Sequence, residues 1–190
     1  RAQAERIGAI VHEHGLRVSM HPGQFNVLGS PTADLVTKTV WDLDQHSRIM
    51  DMMCLPATRK FPINIHIGGT YGDKGLTSER FCANYGRLNE STKRRLVVEN
   101  DDKGTQYSVQ DLHDQIWSRI GTSITFDYHH HRFNTSDLSE SDALALACST
   151  WEEKPLMHYS SCRKTFEDES VNPRAHADYI YEKINTYGRA

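Results

Sequence analysis

The chain has 190 residues, 37% of them hydrophobic, and a formal net charge of -3, which suits one globular domain or part of a larger one. It contains no run of 18 apolar residues and its mean hydropathy is -0.63, which excludes a membrane-spanning helix. The negative charge counts mildly against nucleic-acid binding, unless bound metal ions supply the positive charge that phosphates require.

The first predicted element is a helix, AQAERIGAIVHEHG, which follows Arg1 directly without an initiator methionine or a targeting segment. We therefore expect a single domain over residues 1–190 that is incomplete at both ends. The 4 cysteines form no C-x-x-C pair, which favours reduced thiols. The predicted location is the cytoplasm of a bacterium or archaeon, or the nucleus or mitochondrion of a eukaryote, and not the exterior of the cell.

Strand patterns and helix patterns alternate along the chain. Ser30 and Pro31 predict the N-cap and first residue of one helix, and Ser108 with Asp111 predicts an acidic capping box for another. This alternation is typical of parallel βαβ units. Five short runs of apolar or β-branched residues are predicted strands: 16–21, 62–67, 95–100, 123–128 and 155–160.

Metal-competent side chains lie at the C-terminal ends of the predicted strands. They are His21, His66, Glu99, Asp127 and His158. Their intervals of 45, 33, 28 and 31 residues are close to the repeat of about 31 residues in a TIM (β/α)8 barrel, whose active site lies at those strand ends. The sequence therefore predicts an α/β fold, a partial TIM barrel with about five of the eight strands.

Imidazoles and carboxylates that converge on one face form a mixed nitrogen and oxygen site suited to Mn²⁺, Zn²⁺ or Fe²⁺. Glu99 can bridge two ions, while Asp127 and His130, three residues apart, can serve one ion or two adjacent ions. Ions about 3.5–4 Å apart bind a phosphodiester, activate water and stabilise the departing oxygen. This chemistry predicts a hydrolase that cleaves phosphodiesters.

The chain contains 11 histidines, and not all are candidate ligands. His129 and His131 are expected in a loop beside His130, either as structural residues or in contact with ligands or DNA. Asp101 and Asp102 fit a solvated turn as well as a site. Four histidines on predicted helices are expected to be solvated: His12, His14, His46 and His113.

Six blocks, taken together and in this order, resemble the UV damage endonuclease family, which is related to endonuclease IV in a TIM-barrel superfamily. The resemblance implies a DNA repair enzyme that nicks double-stranded DNA immediately 5′ to ultraviolet photoproducts and leaves a 3′-hydroxyl and a 5′-phosphate. It also implies up to three divalent ions, of which Mn²⁺ is expected and Zn²⁺ or Co²⁺ is possible. The blocks are MHPGQF (20–25), NIHIGGTYGDK (64–74), VVENDD (97–102), FDYHH (126–130), HYSS (158–161) and HADYI (176–180).

The resemblance also assigns roles to residues. Gln24 and Phe25 resemble the pair that probes the damaged duplex, although the family more often has tyrosine in place of Phe25. Glu99, His66 and His158 are the expected catalytic residues. The expected metal ligands are His21, His66, Glu99, Asp127, His130, His158 and His176, of which the last rests on the resemblance alone.

Two departures from the family leave alternatives open. The family carries a lysine two residues before the histidine of the HYSS block, where this chain has Leu156, and Lys154 is no substitute. The family also has a further metal-binding glutamate in a last strand that this chain lacks. The alternatives are an abasic-site endonuclease like endonuclease IV, a sugar isomerase or epimerase, and a non-catalytic truncated remnant. No obligate protein partner is predicted.

Overall fold

Four parallel strands form the centre of the computed structural model, which describes residues 1–189. They pair in sequence order, each with the next. Helical segments connect them, so the sheet is built from the β/α units of a TIM barrel, of which this chain holds a part. The strands are β1 (Ile63–His66), β2 (Leu96–Glu99), β3 (Ile124–Asp127) and β4 (Met157–His158).

Helices surround the sheet, and none within residues 1–189 is long and apolar enough to cross a membrane. The predicted capping box at Ser108 and Asp111 is confirmed, with both reciprocal hydrogen bonds present. The helices are α1 (Ala2–Glu13), α2 (Ala33–Met52), α3 (Lys74–Tyr85), α4 (Glu90–Arg95), α5 (Val109–Leu112), a π-helical segment (His113–Trp117), α6 (Ser118–Ile120), α7 (Tyr128–His131), α8 (Glu140–Ser149) and α9 (Arg163–Phe166).

Two boundary predictions are wrong. Residues 16–21 do not form a regular strand, because only Met20 bridges to Ile63 and Pro22 then removes the next donor from the ladder. Met20 still accepts from Asn64 N at 2.8 Å, which holds His21 beside the sheet.

The second concerns the start of α2, whose N-cap is Thr32 and not Ser30. The Ser30 hydroxyl instead accepts from Thr32 N at 3.1 Å, which forms a turn before the helix. The predicted strand 155–160 is confirmed only as the two residues of β4, and the other three predicted strands are confirmed within a residue or two at each end.

The two faces of the sheet differ in polarity. One face packs against the helices through buried apolar residues, among them Ile63, Ile65, Val98 and Phe126. Since side chains alternate along a strand, the opposite face carries the residues between them. Those residues end each strand with a polar group, and the groups meet at one edge of the sheet: His66, Glu99, Asp127 and His158.

Candidate metal centre

Glu99 lies at the centre of a ring of histidines at the end of β2, and it is only 1% exposed. Its Oε2 lies 3.2 Å from His21 Nε2 and 3.7 Å from His66 Nε2. Its Oε1 lies 3.0 Å from His158 Nδ1 and 3.6 Å from His130 Nδ1. Each carboxylate oxygen therefore faces a different pair of imidazoles, which is the arrangement that a bridging carboxylate needs.

Two sets of potential ligand atoms share Glu99. The first is His21, His66 and Glu99, and the second is Glu99, Asp127 and His158; within each set the ligand atoms lie within 4.8 Å of one another. Imidazole nitrogens and carboxylate oxygens suit Mn²⁺, Zn²⁺ and Fe²⁺, so the residues present fit a pair of divalent ions.

The charges of the cluster are strongly coupled. Burial alone would raise the pKa of Glu99, but hydrogen bonds with His158 and His21 and the charge of His66 hold that pKa well below its usual range. Burial would lower the pKa of His66, but Asp101 and the carboxylate of Glu99 raise it to about 9. Burial also raises the pKa of Asp127. The buried carboxylate of Glu99 is thus stabilised by positive charge, which protons or metal ions can supply.

His130 is fixed by the junction between β3 and α7. Asp127 caps α7 by accepting from His130 N at 2.8 Å, and its other oxygen lies 3.9 Å from His130 Nδ1. The Nδ1 of His130 also lies 2.9 Å from the Asn100 carbonyl oxygen. Because a helix starts where the strand ends, the three-residue spacing brings Asp127 and His130 to the same side of the cluster.

His176 lies at the margin of the cluster. Its ring centroid is 5.3 Å from that of His130 and 4.9 Å from that of His129, and its Nδ1 lies 2.7 Å from Ser160 Oγ. It belongs to neither set of potential ligand atoms. The structure therefore places five of the predicted ligands around Glu99 and places His176 behind His130.

The prediction of a loop around His130 is wrong, because Tyr128–His131 form helix α7. His129 is completely buried and His131 nearly so, and their rings pack edge-on or tilted against Phe133 and Phe126. Both are therefore core residues in this structure and do not form a DNA-contacting surface. The four histidines expected to be solvated lie outside the cluster: His12, His14, His46 and His113.

Gln24 and Phe25 stand on one wall of a cleft of about 350 Å³ that also reaches His66 and His130. Phe25 is 82% exposed, so its ring projects into solvent. Gly68, two residues after β1, also lines the cleft and has a φ of +92°. A Cβ at Gly68 would lie only 3.0 Å from Val27 Cγ1, so glycine permits both this turn and the close approach of Val27.

Two polar residues of the site were not predicted to have a role in it, and the role of a third was left open. Asn64 Nδ2 donates a short hydrogen bond to Glu99 Oε2, and its position two residues before His66 is the signal that both share a face of β1. Asn100 clamps the end of β3 through its side-chain amide, which binds Asp127 N and O at 2.8 and 3.1 Å. Asp101, which the sequence left equally compatible with a solvated turn, is buried and lies 2.9 Å from His66 Nδ1.

Lys154 lies away from the cluster. It lines a separate, mainly apolar cleft with Tyr128, Met157 and Tyr159. This agrees with the view that Lys154 does not replace the lysine that the family carries at the position of Leu156.

Comparison with known proteins identifies the family. The model of the UV-endonuclease UvdE family matches residues 1–188. The chain belongs to this family. A UV-damage endonuclease of Neurospora crassa is 38% identical over 188 residues, covering 91% of this chain and 27% of the relative. A UV DNA damage endonuclease of Bacillus cereus (strain B4264) is 35% identical over 178 residues, covering 92% of this chain and 53% of the relative. The chain thus spans about half or less of these relatives.

Solved structures agree with this membership in the UvdE family. The crystal structure of SacUVDE has a TM-score of 0.84 and 33% identity, and the match covers 94% of this chain and 57% of that one. Endonuclease IV from Thermus thermophilus has a TM-score of 0.60 and 17% identity, covering 84% of this chain and 60% of that one. A D-psicose 3-epimerase from Clostridium cellulolyticum has a TM-score of 0.61 and 16% identity, covering 86% and 59%. The last two share the fold.

Proposed function

We propose that this chain carries the metal centre and the lesion-contacting wall of a metal-dependent DNA repair endonuclease. The enzyme nicks double-stranded DNA immediately 5′ to ultraviolet photoproducts and leaves a 3′-hydroxyl and a 5′-phosphate. Membership in the UvdE family supports the class of reaction. The observation that carries the proposal is the position of Glu99 between four histidines, two of which, His66 and His130, also line the cleft that bears Gln24 and Phe25.

The proposed ligands form two sets that share Glu99. His21, His66 and Glu99 would hold one ion, and Glu99, Asp127 and His158 would hold a second. His130 and His176 extend the ligand set on the side of β3 and contribute to a third position. Mn²⁺ is the expected metal, and Zn²⁺ or Co²⁺ fits the same donors.

Divalent ions at these positions would supply an activated water and stabilise the charge that develops on the departing oxygen. Glu99, together with His66 and His158, keeps the geometry of the ligands fixed. Glu99 is buried, and its strand β2 is paired on both sides, with β1 and with β3. The cleft reaches His66 and His130, so it is the proposed path by which the backbone of a nucleic acid strand approaches the cluster from the side of Gln24. Phe25 offers an exposed aromatic face for stacking on an unpaired or damaged base.

The test is nicking of an ultraviolet-irradiated duplex by the purified protein with Mn²⁺ added. We expect cleavage on the 5′ side of the photoproduct by the wild type and a loss of at least about 100-fold in His66→Ala, because a lost ligand removes several kcal/mol of transition-state stabilisation. His113→Ala, a surface histidine on the π-helical segment, is the matched control and should retain full activity.

Two results would overturn the proposal. The absence of nicking by the wild type with saturating Mn²⁺ would contradict the proposed function. Equal nicking by the wild type and by His66→Ala would contradict the assignment of His66 as a metal ligand. An unirradiated duplex that contains one abasic site, given to the same protein, separates this activity from that of an abasic-site endonuclease. Preference for the abasic duplex would replace the proposed lesion.

A further inference from the structure

The buried carboxylate of Asp101 joins a metal ligand to the wall of the cleft. Its Oδ1 lies 2.9 Å from His66 Nδ1, and its Oδ2 accepts a hydrogen bond from Tyr107 N at 3.2 Å. Asp101 N donates to the Tyr107 carbonyl at 2.8 Å, and Asn134 donates to the Asp101 carbonyl at 3.2 Å. Asp101 is therefore held by three backbone-anchored contacts and presents one oxygen to His66.

The two ring nitrogens of His66 face two different carboxylates, those of Glu99 and Asp101. Its Nε2 faces the Glu99 carboxylate, while its Nδ1 is buried and makes no well-aligned hydrogen bond within residues 1–189. Asp101 Oδ1 lies 2.9 Å from this nitrogen, but the angle is too bent for a regular hydrogen bond. An imidazole binds a metal through the nitrogen that lacks a proton, so a proton on Nδ1 leaves Nε2 available to the cluster.

We propose that Asp101 is a positioning residue that orients His66 and keeps its proton on Nδ1, so that Nε2 is presented to the metal ion. This inference rests on the proposed metal centre and extends it by one residue. It also gives the adjacent loop 101–107 a second purpose, since this loop lines the cleft through Lys103 and Gln106. The carboxylate of Asp101 thereby holds both His66 and the loop 101–107 of the cleft wall in place.

The substitution Asp101→Asn tests this proposal more sharply than Asp101→Ala. A carboxylate offers two acceptor oxygens, and both face nitrogen atoms here, whereas an amide offers only one. If the amide oxygen remains with Tyr107 N, the NH₂ group faces His66 Nδ1 and favours the tautomer whose proton is on Nε2. That tautomer cannot bind the ion. Alanine removes the partner without imposing the wrong tautomer.

The measurement is Mn²⁺ affinity in the absence of DNA, by electron paramagnetic resonance of the purified protein. We expect Asp101→Asn to weaken binding by about 10- to 100-fold, in the range found for outer partners of metal-binding histidines, and at least as much as Asp101→Ala does. The matched control is Asp114→Asn, which removes the carboxylate from another Asp–His contact of 2.9 Å, to His113, outside the cluster. It should leave Mn²⁺ affinity unchanged within about twofold.

A double-mutant cycle shows whether Asp101 acts through His66. In a His66→Ala background, Asp101→Asn should have no further effect on the residual Mn²⁺ affinity. An additional loss there, wild-type affinity in Asp101→Asn, or a larger loss in Asp101→Ala than in Asp101→Asn would each overturn the proposal. Thermal unfolding of the metal-free variants identifies any that fail to fold. If the wild type itself binds no Mn²⁺, the proposed metal centre fails and not merely the role of Asp101.

Discussion

The floor and the rim of the cleft are built from opposite kinds of surface. The floor is our name for the candidate metal cluster, which meets the cleft at His66 and His130. It consists of His21, His66, Glu99, Asp127, His130 and His158, and its two carboxylates are 1% and 2% exposed. The rim, defined as Gln24 and Phe25, includes an aromatic ring that is 82% exposed. Burial of the floor is offset by partners within the fold, because an unpaired buried charge would cost several kcal/mol. The rim has no such requirement, so its side chains remain available to a ligand.

This difference predicts distinct consequences of substitution. Floor residues hold one another through short contacts, so the loss of one alters the charge and geometry of the others. Under the proposed function, rim residues would contribute mainly when DNA is bound. Substitutions in the floor should therefore change metal binding and turnover, whereas substitutions in the rim should change the recognition of damage and leave metal binding intact.

Glu99→Gln should have the largest effect, because a neutral amide cannot balance the charge of two ions or of the protonated His66. We expect nicking of irradiated duplex to fall on the order of 1000-fold or more, corresponding to about 4 kcal/mol of transition-state stabilisation. The number of bound Mn²⁺ ions should fall as well. Glu153→Gln, an exposed glutamate outside the floor, is the control. Unchanged Mn²⁺ stoichiometry in Glu99→Gln would contradict the bridging role.

His21→Ala and His158→Ala divide the floor into its two sets of ligand atoms. Each substitution should lower nicking activity by roughly 100-fold. It should weaken the binding of one ion, while the other set keeps all three of its proposed ligands. Titration with Mn²⁺, followed by metal analysis after gel filtration, counts the ions that remain. Loss of every ion in either variant would show that the two sets are not separable.

The pH dependence of metal binding tests the charge of the floor. Because the pKa of His66 is raised from 6.5 to about 9, the metal-free imidazole is protonated at pH 7 and must release that proton to bind an ion. Mn²⁺ affinity should therefore rise by up to about tenfold per pH unit between pH 7 and 9 and then level off. Calorimetry in two buffers with different ionisation enthalpies should detect the released proton. A flat affinity across this range would contradict the prediction.

The same raised pKa has the opposite consequence for the stability of the metal-free fold. A histidine with a raised pKa in the folded state contributes stability that is fully present below about pH 6.5 and is lost as the pH rises through about 9. Metal-free protein should therefore unfold at a lower temperature at pH 9 than at pH 6.5.

Phe25→Ala should have the smallest effect of this series and should be confined to recognition. Loss of an aromatic stacking surface costs about 1–3 kcal/mol per base in single-strand binders, so we expect a loss of roughly tenfold in the preference for irradiated over intact duplex. Phe25→Tyr retains the ring and should retain that preference. Fluorescence anisotropy with the two duplexes gives the ratio, and a change in Mn²⁺ affinity in either variant would contradict the separation of rim from floor.

The strand ends were predictable because two simple periodicities operate together. Alternation of side chains along β1, β2 and β3 identifies one face, and the regular interval between β/α units brings the last residues of the strands to one edge. The capping box at Ser108 was predictable for a similar reason, since its hydrogen bonds join residues only three apart. Local chemistry and repeated spacing are both written in the sequence.

Strand pairing at the edge of the sheet and long-range packing partners were harder to predict from the sequence. Whether residues 16–21 form a strand depends on the neighbours with which they pair, and Met20 alone finds such a pairing here. His129 packs in part against His176, which lies 47 residues further along the chain. A sequence pattern within one segment contains no information about a cover that comes from elsewhere in the chain.

The sequence by itself determined the β/α repeat, the residue types at the strand ends and, through its family blocks, the family to which the chain belongs. Only the tertiary structure decided how those residues are connected. It assigns each oxygen of Glu99 to a different pair of histidines and places Asp101 behind His66. The physical reason is that hydrogen bonds and charge pairs depend on distances of about 3 Å, and such distances between separate segments are set by how the chain packs.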